Sequence, residues 1–357
     1  MPLVSQIGAH GETKTYVIAE MAWAHNGSLD TAIQILQGAK IAGADAIGIH
    51  LTSMPDYMVP HYRCLDGQTL SGGIGSENGH IYRYLSQLNL KQEDWQVFFR
   101  TALDLGVQVC AMCNDLASLA FASSQNAIDV YAISAASFTE YDFVLEIARR
   151  KKPLVLRIGG ATLGEIEQTV TLIRQVNDEE IVLLHGIQLY PTDINLLNIS
   201  ALAALKQCFR CRVGLADHTD GGTEEALFLP AIAIPYGASV IEKHITLDRS
   251  LKHEDYEAAL GVEDFQRFVR NIRLTELALG NGILGTLTAA DLKYRRVSRK
   301  RTVASRDLSK GTLVSRADVV SKRSDTGLDP GQTDLLIGRK LCVDVAAEEG
   351  LDFTKVS

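Results

Sequence analysis

Short apolar runs rich in Val, Ile and Ala alternate along the chain with longer segments of helical period, the pattern of βα units on a parallel sheet. The runs predict strands over Tyr16–Met21, Ala46–His50, Gln108–Met112, Val130–Ile133, Leu154–Ile158, Ile181–His185, Arg212–Ala216 and Ser239–Glu242. Each is followed by a helical stretch, which favours an α/β fold closed as a (β/α)8 TIM barrel over an open doubly wound sheet. Among the helices, Leu29–Ala42 places Ala32, Ile33, Ile35, Leu36, Ala39 and Ala42 on one face. One connection breaks the rhythm: from His50 to Asp94 the chain passes Pro55, Pro60, Gly67 and Gly72–Gly75. A long insertion after a barrel strand lies on the face that carries active sites, so this segment reads as a candidate lid. After Gly285 a polar, charged connector (286–296) leads into short strand patterns at Arg301–Ala304, Leu313–Val314 and Leu341–Val345, with a turn at Lys310–Gly311. The expected organisation is a barrel over 1–285, a linker over 286–296 and a small β-rich domain over 297–357.

Composition refines this division. The 357 residues, 46% hydrophobic and 22% charged, exceed the roughly 250 of a single barrel, which leaves room for the appendage. The net charge is −8, yet the chain from Lys293 onward carries 14 basic and 9 acidic residues, so the body before it stands at −13. An acidic body argues against nucleic acid or an anionic membrane as partner. The basic cluster Arg295, Arg296, Arg299, Lys300 and Arg301 fits better against an acidic protein surface. No apolar run approaches the ~20 residues of a membrane span. Met1–Lys14 has neither a basic start nor an apolar core, and six cysteines are too few for a disulfide framework. The expected location is the cytoplasm.

Barrel enzymes carry their chemistry at the C-terminal ends of the strands. There the sequence offers Glu20, His25, Asn26, His50, Asn114, Arg157, His185, Gln188, Tyr190, Asp217, His218, Glu242, Lys243 and His244. His218 and His244 end adjacent strands about 4.8 Å apart, so their imidazoles can converge on one divalent metal. Glu20, Glu242 and Asp255 supply carboxylates as further ligands or bases. A single strand-end His more often caps its strand, but two in adjacent positions with flanking Asp and Glu reverse that preference. Cys110–Cys113 and Cys208–Cys211 have CxxC spacing but enter the barrel from opposite ends, so they share no metal.

The motifs Tyr16–Gly27 (YVIAEMAWAHNG), Ala39–Ala46 (AKIAGADA), Leu183–Pro191 (LLHGIQLYP), Val213–Gly221 (VGLADHTDG) and Gly237–Leu247 (GASVIEKHITL) resemble the sialic acid synthase family. The resemblance continues into Thr302–Gly327, which looks like that family's C-terminal antifreeze-like, or SAF, domain. It implies condensation of phosphoenolpyruvate with an N-acetylhexosamine in the cytoplasm, within a homodimer whose C-terminal domain reaches the partner's barrel. It also implies that His218 and His244 hold a manganese-like divalent cation, with magnesium, cobalt or zinc as alternatives, and that Glu20 and Glu242 act beside them. Tyr190, Asp255 and Arg323 match the acceptor side, Arg323 being supplied by the partner subunit.

The donor side departs from the family pattern. Gly48–Ile49–His50 stands where the family has Lys-Phe-Gln, and Ala132–Ser137 (AISAAS) replaces Lys-Ile-x-Ser-Gly-Glu/Asp. Gly186–Ile187–Gln188, Ala216–Asp217–His218 and Met112–Cys113 replace hydroxyl-bearing motifs. Each charge-assisted contact to a phosphate or carboxylate is worth roughly 1.5–3 kcal/mol. Losing two lysines and three hydroxyls together therefore removes about 5 kcal/mol or more, several thousandfold in affinity. Arg157, followed by Gly159–Gly160, is a candidate replacement for the lost anion contacts; the plainer reading pairs it with Glu20 or Glu242. His50 is a candidate third metal ligand, base or anion contact, and Gln188 and Asn26 complete the candidate substrate-binding set. The resulting expectation is a metal-dependent, aldol-type enzyme acting on a sugar-like substrate with a donor other than phosphoenolpyruvate. Ordinary nonulosonate synthesis and a silent sugar-binding barrel are the rivals.

Overall fold

The computed structural model describes residues 14–60 and 81–357, so the Gly72–Gly75 part of the expected lid lies outside the described residues. The elements open with β1 (Tyr16–Glu20), α1 (Leu29–Ala42), β2 (Ala46–Leu51), α2 (Met54–Tyr57), α3 (Ile81–Leu88) and α4 (Gln92–Leu105). They continue through β3 (Gln108–Cys113), α5 (Leu116–Ser124), β4 (Val130–Ile133), α6 (Tyr141–Ala148), β5 (Leu154–Arg157), α7 (Leu163–Arg174), β6 (Ile181–His185) and α8 (Ala201–Phe209). The rest are β7 (Arg212–Asp217), α9 (Glu225–Phe228), β8 (Ala238–His244), α10 (Val262–Leu279), α11 (Ala289–Ser298), β9 (Lys300–Ala304) and β10 (Val319–Arg323). Strands β1 to β8 form a closed parallel barrel in chain order, β8 pairing back onto β1, as the alternation of apolar runs predicts.

The chain divides into two compact units, Met1–Asn281 and Gly282–Ser357. In the first, strand alternation splits the core in two. Val17, Ala19, Ile47, Ile49, Val213, Leu215 and Ile241 face outward and pack under helices that contribute Leu36, Trp95, Phe98, Phe265 and Phe268. Ile18, Ala46, Cys110, Met112, Val130, Ala132, Val155, Val182, Leu184 and Val240 fill the lumen, as a barrel of this size requires. Helix α1 starts where the Ser28 hydroxyl accepts from the Thr31 N–H (3.2 Å) and stops at Gly43 in the left-handed region. Its buried face includes Gly38 rather than the expected Ile33, because a side chain at Gly38 would strike Val262 at the start of α10.

The second unit has its own core, with Ala304, Leu308, Val314, Leu336, Leu341, Val345 and Leu351 buried. Strands β9 and β10 pair antiparallel, and isolated bridges join Leu308 to Val345 and Leu341 to Val356. The sequence pattern missed β10 because every position after Val319 is exposed on a two-stranded sheet, so no apolar period marks it. The connector read as polar and charged contains α11, started by a capping box between Thr288 and Asp291.

Gly214 lies on the lumen side of β7, where an added Cβ would stand 2.8 Å from Leu184 Cδ1 and 2.9 Å from Val240 Cβ. Gly214→Ala is expected to lower stability by about 1–3 kcal/mol through overpacking, measured by urea unfolding with an unchanged slope.

Candidate active site

The same alternation decides which polar residues reach the lumen. On β1, β2, β5, β7 and β8 the inward positions near the C-terminal ends are Glu20, Gly48 and His50, Arg157, Ala216 and Glu242, with His218 and His244 one layer higher. Glu20 is in register with Gly48, and a Cβ at position 48 would stand 2.8 Å from the Glu20 Cδ. The absence of a side chain there is what lets the carboxylate swing over β2. It meets Arg157, which reaches across the lumen from β5: Nη2 donates to Glu20 Oε2 and, at 2.8 Å, to Glu242 Oε2. Nη1 of the same guanidinium lies 3.0 Å from Met112 Sδ. All three charged groups are buried, Arg157 at 7% exposure and the two glutamates at 1% each.

This arrangement matches the plainer reading of Arg157, because its charge is divided between two carboxylates. The second Glu20 oxygen accepts from the Ala22 N–H at 2.8 Å, whereas Glu242 Oε1 is buried without a hydrogen-bond partner among the described residues. Burial pushes Glu242 above the usual carboxylate range, with Arg157 opposing. Whether or not Glu242 is ionised, the triad carries a net charge of −1 or zero. Arg157 is the sole Lys or Arg among the described residues lining the cavity.

His218 and His244 come together as predicted, with ring centroids 5.3 Å apart. The His218 Nδ1 lies 2.7 Å from the Ile187 carbonyl; donation there leaves Nε2 with its lone pair. The His244 Nδ1 faces Asp255 Oδ2 at 3.7 Å. Burial lowers both imidazoles below their ordinary range, which keeps them neutral and able to ligate. Two neutral imidazoles, each backed by a carbonyl or carboxylate, fit a first-row divalent ion that leaves its other positions to water and substrate. Among the described residues no group of three or more His, Cys, Asp or Glu forms a ligand cluster, so His50 does not join the pair. The Tyr190 ring lies tilted against His218 (centroids 4.3 Å, 38° between planes), and its hydroxyl donates to Gln188 Oε1 (3.0 Å). Together with Trp23, Asn114, Ser134, Asp255 and residues of α2 and α3, these groups line a cavity of about 310 Å³.

Other sequence candidates lie elsewhere. Asn26 is exposed in the turn after β1, with φ 51, and does not line the cavity. His185 points outward from β6 and bonds the Leu197 carbonyl at 2.9 Å. Arg323 belongs to the second unit, where it is exposed and donates to the Val297 carbonyl at 3.2 Å. Cys110 and Cys113 are buried free thiols on opposite faces of β3. Sequence reasoning overlooked the aromatic wall formed by Trp23 from the loop after β1 and by Tyr57 and Tyr84, which the insertion brings in on two short helices. It also left Asp217 and Lys243 without a role. Each precedes a cavity histidine, so each faces outward, and Lys243 Nζ donates to Asp217 Oδ2 (2.5 Å) and the Thr219 carbonyl (2.8 Å) with neither side chain exposed. This fully buried pair clamps the ends of β7 and β8 and thereby sets the spacing of the two imidazoles.

A closed parallel barrel with its ionisable side chains gathered at the C-terminal strand ends is built as a TIM-barrel enzyme. Residues 35–284 match the model of the NeuB family, and the chain belongs to that family, in agreement with the resemblance carried by its motifs. It is 32% identical over 340 residues to a pseudaminic acid synthase of Campylobacter jejuni, covering 95% of this chain and 96% of that protein. It is 28% identical over 349 residues to an N,N'-diacetyllegionaminic acid synthase of Legionella pneumophila, covering 96% and 95%. The fold is shared with the crystal structure of a putative spore coat polysaccharide biosynthesis protein E from Chromobacterium violaceum, at TM-score 0.74 and 18% identity over 96% of this chain and 100% of that one. It is also shared with an N-acetylneuraminic acid synthetase from Leptospira borgpetersenii solved with citrate, at TM-score 0.68 and 21% identity over 83% and 97%.

Lys243→Met leaves Asp217 buried and unpaired, which is expected to cost about 3–5 kcal/mol, whereas the double change Asp217→Leu with Lys243→Met recovers most of that loss. Thermal and urea unfolding of the two variants against the parent check the difference.

Proposed function

We propose that the chain is a metal-assisted enzyme of sialic acid synthase type that joins or cleaves a carbon–carbon bond in a sugar-like substrate, with a donor other than phosphoenolpyruvate. The observation that carries this reading is the Glu20–Arg157–Glu242 triad, which occupies the donor side and leaves no surplus positive charge there. A donor bearing about three negative charges needs uncommitted cations, and the described cavity lining supplies none. A divalent ion, manganese in the first instance, would be held by His218 and His244 and would polarise a carbonyl of the substrate.

The chain's own groups take the remaining roles. Glu242 offers its free Oε1 to accept and return a proton, its affinity for that proton raised by burial. Glu20 is fixed by Arg157 and the Ala22 N–H and holds the shape of the floor. Tyr190, Gln188 and Asp255 orient the acceptor, the tyrosine ring lying against His218. The second unit, of SAF type on this reading, seats on the partner's barrel in a homodimer in the cytoplasm and brings Arg323 to the partner's site. Its excess of basic over acidic residues from Lys293 onward complements the acidic body.

A second reading, nonulosonate synthesis from phosphoenolpyruvate, is favoured by 32% identity to a pseudaminic acid synthase across 95% of the chain. Incubation with manganese, phosphoenolpyruvate and an N-acetylhexosamine separates the two. Phosphate release and 2-keto acid at the no-enzyme background are expected; robust turnover would reject the first reading. His218→Ala is expected to lower bound manganese, measured by elemental analysis after dialysis, from one equivalent per chain to a small fraction of one. Unchanged metal content and melting temperature would end the metalloenzyme assignment.

A further inference from the structure

The cavity floor holds polar atoms that the fold itself leaves unsatisfied. His50 is 8% exposed and lines the cavity from β2, held edge-on against Trp23 with centroids 4.8 Å apart. Among the described residues neither of its ring nitrogens has a hydrogen-bond partner, and Nε2 stands 3.6 Å from Glu20 Oε1, beyond hydrogen-bond reach. The second orphan is Glu242 Oε1. Buried polar groups are rarely left unpaired, so these atoms describe the partner they are waiting for. Burial and the neighbouring Arg157 charge hold His50 well below its usual range, so the ring is neutral and presents one N–H and one lone pair.

We infer, resting on the proposed reading of the site, that the donor subsite takes an uncharged hydroxy-carbonyl compound whose oxygens pair with His50 and Glu242 Oε1. The argument is one of matching donors to acceptors. A neutral imidazole beside a free carboxylate oxygen requires a ligand that both accepts and donates. A carbonyl oxygen takes the imidazole N–H, one hydroxyl proton goes to the imidazole lone pair, and another hydroxyl, which can donate or accept, pairs with Glu242 Oε1 in either of its protonation states. A fully ionised phosphate or carboxylate offers acceptors alone, leaves the imidazole lone pair unmatched, and brings negative charge to a triad that is neutral or −1. Position 50 thus replaces charge recognition with neutral hydrogen bonding.

The test is equilibrium binding to the intact manganese-loaded protein, by NMR titration, with three probes: dihydroxyacetone, pyruvate and phosphoenolpyruvate. Dihydroxyacetone is expected to bind at least about tenfold more tightly than either anion. His50→Leu should weaken it about tenfold through loss of the buried hydrogen bonds. His50→Gln, which keeps one donor and one acceptor, should stay within about threefold of the parent. Melting curves identify any variant that fails to fold, and the ranking of probes on the parent protein decides the matter without it. Equal or tighter binding of either anion overturns the inference, as does an unchanged affinity in folded His50→Leu. Binding of none of the three overturns it too but leaves the proposed reaction class standing. Turnover of phosphoenolpyruvate with an N-acetylhexosamine removes both.

Discussion

The guanidinium of Arg157, spanning the lumen from β5 to carboxylates on β1 and β8, is the interaction on which the rest of the site depends. Three buried charges are stable together only if their geometry is good, because each has lost its hydration and removing one leaves the others uncompensated. That demand propagates. Glu20 can reach Arg157 because Gly48 leaves its path clear, and the Ala22 N–H closes the remaining Glu20 acceptor. Met112 lies against the arginine, and Ala132, its register partner on β4, is a second uncharged lumen residue. The nearby positive charge also helps keep His50 neutral. Each of these residues looks unrelated to the others along the sequence, yet a single electrostatic requirement accounts for all of them.

The half of the barrel that carries His218 and His244 is organised separately, and the odd–even rule of a strand explains how. His218 and His244 face the cavity; the residues just before them face the helices, where Asp217 and Lys243 bond to each other out of reach of solvent. Functional spacing inside the barrel is therefore secured by an ion pair outside it. Burial lowers the affinity of Lys243 for its proton, and Asp217 is the leading charge that opposes this. Substitution on β2 to β5 can thus change which ligand the floor accepts while β7 and β8 retain their geometry.

Much of this was legible in the sequence because the apolar runs are short, β-branched and regularly spaced. All eight barrel strands and α1 lie within two residues of the expected limits, and the pairing of His218 with His244 followed from their places on adjacent strands. What remained illegible has identifiable causes. Strand parity is hard to assign at a strand's last residue, so His185 looked as eligible as His218 although it faces Leu197. The partners of Arg157 lie 85 and 137 residues away, and no local pattern distinguishes a paired arginine from one awaiting an anion. Ile33 looked like a core residue by its period, but the approach of Val262 made Gly38 the closer contact. Strand β10 carries no apolar alternation because little of it is buried.

The positive charge inside the lumen sits on β5, on Arg157, between two carboxylates. The family resemblance leads one to expect lysines at positions 48 and 132, each a compact ammonium on a flexible stem that can meet an incoming phosphate. Arg157 differs in kind: its planar fork lies between two carboxylates that fix it in direction and burial. Freeing it for a ligand would strip a buried guanidinium of both partners, a cost of several kcal/mol that an anionic donor would have to meet before gaining any affinity. A cation so placed shapes the floor but does not recruit substrate. On the proposed reading, recognition on that side falls to the groups the triad leaves unsatisfied, and their hydrogen-bonding needs select the donor more than charge does.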